Sequence, residues 1–241
     1  GDITVSSSVE IFAGGDIGVA NVNAGTSSLP GQIRLHTNRS TNNSEFVIGA
    51  TTGANHALSL NATTATGGSA ATVTSGSGTN LWDQTFIAQF VGVSNAGSGG
   101  ITIENGSAIN VAASASDAGA ILLDANGGKI KLEGGTLSAS GTSAYKGGQI
   151  ALRGQEVNLT NGSSIAADSY GSSSNHYVLI ATRLFSYSGG ATTINSNGDA
   201  GADIKTGVIF NIDTGTEINI GGILPEVRQF DLNNASLQFY S

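Results

Sequence analysis

Apolar residues along this chain keep a long-range register. Ile101, Ile130 and Val157 form one series, and Ile103, Leu132 and Leu159 a second. Ile109, Leu137, Ile165 and Ile194 form a third, and Ile121–Ile150–Val178 and Leu123–Leu152–Ile180 add two more, all at intervals close to 28 residues. A fixed period of this size marks a solenoid, in which each unit buries its apolar face only against the next.

Within one period the pattern predicts three short strands, at 120–124, 129–133 and 136–139. Lys129, Lys131 and Glu133 alternate with Ile130 and Leu132, so one face points in and the other out. Gly127-Gly128 and Gly134-Gly135 supply the corners, where φ can turn positive at no steric cost. The following period repeats the plan at 149–153, 156–160 and 164–166, with Asn161-Gly162 in the corner that Gly134-Gly135 held. A further one runs through 178–180, 185–187 and 193–195, and 208–210 and 217–220 continue it. Toward the N-terminus the spacing loosens to about 30, taking Ile3 to Ile33 and Val5 to Leu35.

The expected fold class is all-β: a right-handed parallel β-helix with coils of about 28–30 residues and three short strands per coil. It spans 1–241 as a single domain, with the clearest repeats at 99–220. Residues 61–98 read as an irregular insertion or a weak coil, since 61–80 is nearly pure Ala, Thr, Gly and Ser. Trp82, Phe86 and Phe90 then break the plan, as a short helix or as a strand with added packing. The alternating stretch within 221–241 suits a cap or a docking strand. The competing architecture is a β-sandwich, which needs hairpins at corners such as Asn105-Gly106.

Composition narrows the function. Gly is 36 of 241 residues, and charged residues are 11% where globular chains average about 25%. The regular Ile, Leu, Val and Phe argue against a disordered linker. A net charge of −8 with only nine basic residues, none adjacent, disfavours nucleic acid and a polybasic membrane patch. There is no apolar run long enough for a membrane helix, so membrane insertion is not expected. Cysteine is absent, which excludes disulfides and thiolate metal sites. Methionine is absent too, and Gly1 opens in the middle of a strand pattern, so the chain reads as a segment of a longer polypeptide.

The corners carry a resemblance. Gly147-Gly148-Gln149-Ile150-Ala151-Leu152, then Glu156-Val157-Asn158-Leu159-Thr160-Asn161-Gly162-Ser163-Ser164-Ile165-Ala166, resembles the haemagglutinin-type repeats of filamentous-haemagglutinin-like exoproteins secreted by the two-partner route. Residues 99–112 carry the same pattern, and coverage extends to about 195. The resemblance implies a right-handed β-helical shaft, export across a Gram-negative outer membrane, and a role in adhesion or surface filaments. The N-terminal secretion module of that family usually carries an Asn-Pro motif; here the prolines are Pro30 and Pro225, neither preceded by Asn. The resemblance is therefore to a shaft segment.

Because many β-helices process polysaccharides, the acids were weighed as catalytic pairs facing one cleft. Asp124 with Glu133 and Asp117 with Asp124 are the candidates; Glu104, Glu133 and Glu156 fall on corresponding strands at unequal offsets. The plainer expectation is a solvated outer face. His36, His56 and His176 lie on different coils without ligand spacing, so neither metal nor cofactor is expected. Gly198-Asp199 and Gly201-Ala202-Asp203 are too isolated for a calcium repeat, and Gly76-Ser77-Gly78 lacks a strand–helix context. Sequons at Asn61, Asn158 and Asn161 are what an Asn-, Ser- and Thr-rich chain produces by chance.

Tyr145 and Tyr170 fall after the third strand of successive coils, where neighbouring rings would stack on a glycan or simply cover a corner. Thr-x-Thr rows suited to an ordered surface occur only in scattered form, as in Thr72-Val73-Thr74. The chain is thus expected to be a secreted or cell-surface structural and adhesive protein, not an enzyme. Its partners would be copies of itself end to end, or surface glycans. The alternatives are a non-catalytic glycan- or surface-binding module and a polysaccharide-degrading enzyme.

Overall fold

The computed structural model of the chain describes residues 1–13, 17–26, 28–29, 31–37, 45–49, 56–57, 59–62, 90–95, 98–125, 128–141, 145–168, 177–188, 193–195, 207–221, 227–232 and 236–240. Every regular element among them is a β-strand, and every strand pair is parallel. The strands fall into three ladders.

The first ladder runs β1 (Ile3–Val5), β3 (Asn21–Ala24), β7 (Ser59–Ala62), β10 (Ala108–Asn110), β13 (Thr136–Ser138), β15 (Ser164–Ala166) and β17 (Thr193–Asn195). The second begins with β2 (Ser8–Ala13), β4 (Gln32–Thr37), β8 (Phe90–Asn95) and β11 (Ala120–Asp124). It continues through the first halves of β14 (Gln149–Thr160), β16 (Tyr177–Ser188) and β18 (Gly207–Gly221) to β19 (Val227–Leu232). The third holds β5 (Phe46–Ile48), β6 (His56–Ala57), β9 (Ile101–Glu104) and β12 (Lys129–Glu133), then the second halves of β14, β16 and β18, and β20 (Ser236–Tyr240). Because β14, β16 and β18 run unbroken through both, the second and third ladders share one strongly curled sheet.

The predicted series lie in register. Ile109 pairs with Leu137, Leu137 with Ile165 and Ile165 with Ile194. Ile121–Ile150–Val178 and Leu123–Leu152–Ile180 pair likewise in the second ladder. Ile101–Ile130–Val157 and Ile103–Leu132–Leu159 do so in the third. All of these side chains are buried in one continuous core. Each strand therefore hides every second residue against the one a period away, at a spacing of about 4.8 Å.

Strand bounds follow the pattern closely, except that 149–153 with 156–160, 178–180 with 185–187, and 208–210 with 217–220 each form one strand. The N-terminal alignment is different from the expectation: Ile3 pairs with Val22 in the first ladder, while Ile33 pairs with Val9 in the second. The apparent 30-residue step joined two different ladders, because both carry the same apolar-x-apolar alternation. Further on, the register steps widen: Leu60 pairs with Ile109, Ile33 with Val91 and Phe46 with Ile101. Residues 63–89, including Trp82 and Phe86, lie outside the described residues, whereas 90–95 are strand. In the tail, β19 and β20 each pair with one half of β18.

Asn105-Gly106 does not close a hairpin, since the flanking β9 and β10 belong to different ladders. The antiparallel sandwich therefore lacks hairpins among the described residues. At the equivalent corner two periods later, Asn161 and Gly162 both take positive φ, 57° and 77°. The Ser163 hydroxyl beneath them is buried; it accepts the Gly134 N–H at 3.1 Å and donates to the Leu132 carbonyl at 2.6 Å. Gly135 holds the matching place between them, where a Cβ would stand 2.2 Å from Ile103 Cγ2. That contact calls for glycine at 135, and a φ of 86° favours it at 134.

Candidate functional site

The outer face of the second ladder carries one row of chemistry-bearing residues. Phe12, His36, Ser94, Asp124 and Arg153 are successive register partners on β2, β4, β8, β11 and β14. The Phe12 and His36 rings sit 5.3 Å apart and tilted, and His36 Nδ1 is hydrogen bonded with Ser94 Oγ at 2.9 Å. Arg153 forks onto Asp124, with Nε donating to Oδ1 at 2.9 Å and the second guanidinium nitrogen to Oδ2. Burial lowers the His36 pKa below its ordinary 6.5, against a smaller upward pull from the Asp124 carboxylate.

This face corrects the expectation of a solvated outer surface. Asp124 is 3% exposed, and the outward-facing Ala120, Leu122, Gln149 and Ala151 are buried as well. Both sides of β11 are covered, which explains its unbroken apolar run.

On the third ladder the charges pair off. Lys129 Nζ lies 2.5 Å from Glu156, and Lys131 Nζ 3.1 Å from Glu45, which also accepts the Thr102 hydroxyl. Glu104 and Glu133 are direct register partners whereas Glu156 faces Lys129, so the three acids do hold unequal offsets. Asp117 accepts the Lys146 backbone N–H at 3.0 Å. The catalytic pairs considered above do not gather: Asp124 and Glu133 sit on different ladders, and Asp117 and Asp124 each hold a partner of their own. Among the described residues no three His, Asp or Glu side chains cluster as metal ligands would.

Tyr145 is half-buried between β13 and β14, and Tyr170 lies outside the described residues. So do His176, Thr72-Val73-Thr74, Gly76-Ser77-Gly78, Gly198-Asp199 and Gly201-Ala202-Asp203; of His56 only the backbone, in β6, is described.

The first ladder presents a different surface. Its strands read ITV, NVNA, SLNA, AIN, TLS, SIA and TIN, without one charged residue. Outward positions line up as Asn21–Ser59 and Asn23–Asn61–Asn110–Ser138, alternating with the buried Val22, Leu60, Ile109 and Leu137. Ser59 Oγ donates to Asn21 Oδ1 at 2.9 Å, and Asn61 Nδ2 to Asn23 Oδ1 at 3.1 Å. The sequence signal was available as small-polar, aliphatic, small-polar triplets. A Thr-x-Thr pattern does not capture it, since Asn and Ser hold most of these positions. Against family models, curated proteins and solved structures, the chain matches none.

Proposed function

We propose that this chain is a segment of an extracellular shaft, a right-handed parallel β-helix in a secreted or surface-anchored adhesive protein of the filamentous-haemagglutinin-like type. The observation that carries the proposal is the register of the three parallel ladders, in which equivalent residues of successive repeats meet as neighbours. From β7 onward the chain visits the three ladders in turn, each strand pairing one repeat onward, whereas β6 lies beyond β5 on the side away from β9. A chain that follows the first order winds, and strand connections of this kind are right-handed in nearly every known case. Such a stack stiffens along its axis because every rung is hydrogen bonded to the next. The resemblance of the Asn-Gly-Ser corners to haemagglutinin repeats supports export by the two-partner route and a place outside the cell.

Use of the acids in ion pairs and backbone contacts, instead of a shared cleft, favours an architectural over a hydrolytic role. The partners are a surface glycan or another copy joined end to end, since any open β-helix end offers strand backbone for pairing.

Displaying the chain on a bacterial outer-surface anchor tests the function. Cells carrying it should adhere to glycan-coated surfaces or to one another several-fold more than cells carrying an unrelated domain of equal size. Equal adhesion would overturn the adhesive role. Oriented specimens of the purified chain should diffract at about 4.8 Å along the particle axis, and an axis without that repeat would overturn the winding.

A further inference from the structure

The first ladder carries a surface property that the shaft alone does not need. Exposed protein faces are normally about a quarter to a third charged. Here the charges segregate: Arg34, Asp124, Lys129, Lys131, Glu133 and Glu156 all stand on the other two ladders. The first ladder instead offers two parallel columns of mainly amide and hydroxyl groups, interrupted by Ala108 and Ala166, with the Asp2 carboxylate beside its first strand accepting the Asn21 backbone and side-chain N–H groups. Rungs repeat at about 4.8 Å along the ladder, and the two outward positions of a strand lie about 6.6–6.8 Å apart.

We propose that this face binds a neutral polysaccharide, laid along the columns. The inference rests on the adhesive reading above and names the ligand class of that adhesin. Asn supplies donors and an acceptor together, and Ser and Thr hydroxyls act as either, which is the mixture that sugar hydroxyls require. Bonds from Ser59 to Asn21 and from Asn61 to Asn23 fix side-chain rotamers beforehand, so less conformational entropy is lost when a ligand arrives. A repeating ligand on a repeating face gains through multiplicity what each weak contact lacks.

Lack of basic side chains on these strands selects against acidic glycans, which would draw on Lys or Arg. A crystalline surface such as ice fits less well. A rigid lattice demands a level face, and here Ala108, Asn110, Thr136 and Ser138 stand side by side with unequal lengths. A flexible chain accommodates such steps.

The test is depletion of the purified chain from solution by insoluble cellulose, chitin, mannan and starch, compared with cross-linked alginate and polygalacturonate. At least one neutral polymer should retain the chain about tenfold more strongly than the acidic ones. Asn61→Lys and Ser138→Lys, each on an outward position, should lower that retention about tenfold while keeping the wild-type circular dichroism and melting temperature. Glu133→Gln, exposed on the third ladder, should leave it unchanged.

Retention by no neutral polymer, preference for the acidic ones, or equal loss with Glu133→Gln would each overturn the proposal. Thermal hysteresis abolished by Ser138→Lys would assign the face to ice and overturn it as well. Adhesion of displaying cells without polysaccharide retention removes this inference alone, whereas failure of adhesion itself removes the reading beneath it.

Discussion

Asp124 and Arg153 occupy the same position on neighbouring strands, and the guanidinium clasps the buried carboxylate through two hydrogen bonds. The Asp124 side chain is nearly enclosed, at 4% exposure, while the Arg153 side chain keeps 39% of its surface in water. Removing the arginine leaves an anion buried beside Leu122 and Ala151. Breaking such a pair costs about 3–5 kcal/mol when both partners are buried. Solvent around Arg153 reduces this, so Arg153→Ala should destabilise by about 2–3 kcal/mol. Urea unfolding measures it. Asp124→Leu combined with Arg153→Leu should cost less than the sum of the single changes, and strict additivity would mean the pair is not coupled.

His36 makes stability depend on pH in a definite direction. Its pKa is lowered in the folded state, so between that value and 6.5 the unfolded chain binds more protons than the folded one. Stability therefore rises with pH through this window. It is fully present above about 6.5 and lost as pH falls toward the folded pKa. Charging the ring would place a cation against the Phe12 ring and the Ser94 hydroxyl, with the Asp124 carboxylate already engaged by Arg153. Melting temperatures measured from pH 7.5 to 5 should fall more steeply for the wild type than for His36→Gln. Parallel curves would show that the imidazole does not carry the effect.

Two backbone positions should respond in opposite ways to small substitutions. A Cβ on Gly148 would stand 1.7 Å from the Gly119 carbonyl oxygen, a backbone atom that moves only if neighbouring strands separate. Gly148→Ala should prevent folding or lower the melting temperature by well over 10 °C, since each kcal/mol moves a domain of this size by about 2–4 °C. Asn161 already holds φ at 57°. Asn161→Gly should be neutral or mildly stabilising, and Asn161→Ala should cost about 1 kcal/mol. A reversed order in thermal melts would contradict the left-handed corner.

What was legible in the sequence is what repeats. Leu137 sits in the middle of a strand bounded by glycines and small residues, and its equivalents recur at the same interval on both sides. Strand, face and partner all follow from that. Ile3 and Val9 belong to neighbouring strands with the same alternation, and nothing local tells which of them belongs under Ile33; only the three-dimensional order of the ladders decides. The buried Asp124 was illegible for a related reason. Periodicity places it on the outward face, but what covers that face is a tertiary matter. The uncharged columns of the first ladder were visible as triplets such as Asn21-Val22-Asn23. They become a surface only when register sets them side by side.

The central column offers the sharpest mechanical check. Leu137 is buried between Ile109 and Ile165, its register partners on either side. Truncation there opens a cavity that neither neighbouring strand can close without losing its own hydrogen bonds. Leu137→Ala should cost about 3–5 kcal/mol, in the upper range for such changes. Ile3 occupies an end strand with β3 as its partner and remains half-buried, so Ile3→Ala should cost about 1 kcal/mol. Because Leu137 and Ile165 share one packing layer, Leu137→Ala with Ile165→Ala should depart from additivity by at least about 0.5 kcal/mol, whereas Leu137→Ala with Ile3→Ala should simply add. Chemical denaturation of these variants, with Ile165→Ala alone, decides the matter. Equal costs at Leu137 and Ile3, or coupling between that distant pair, would be incompatible with a core built as stacked columns.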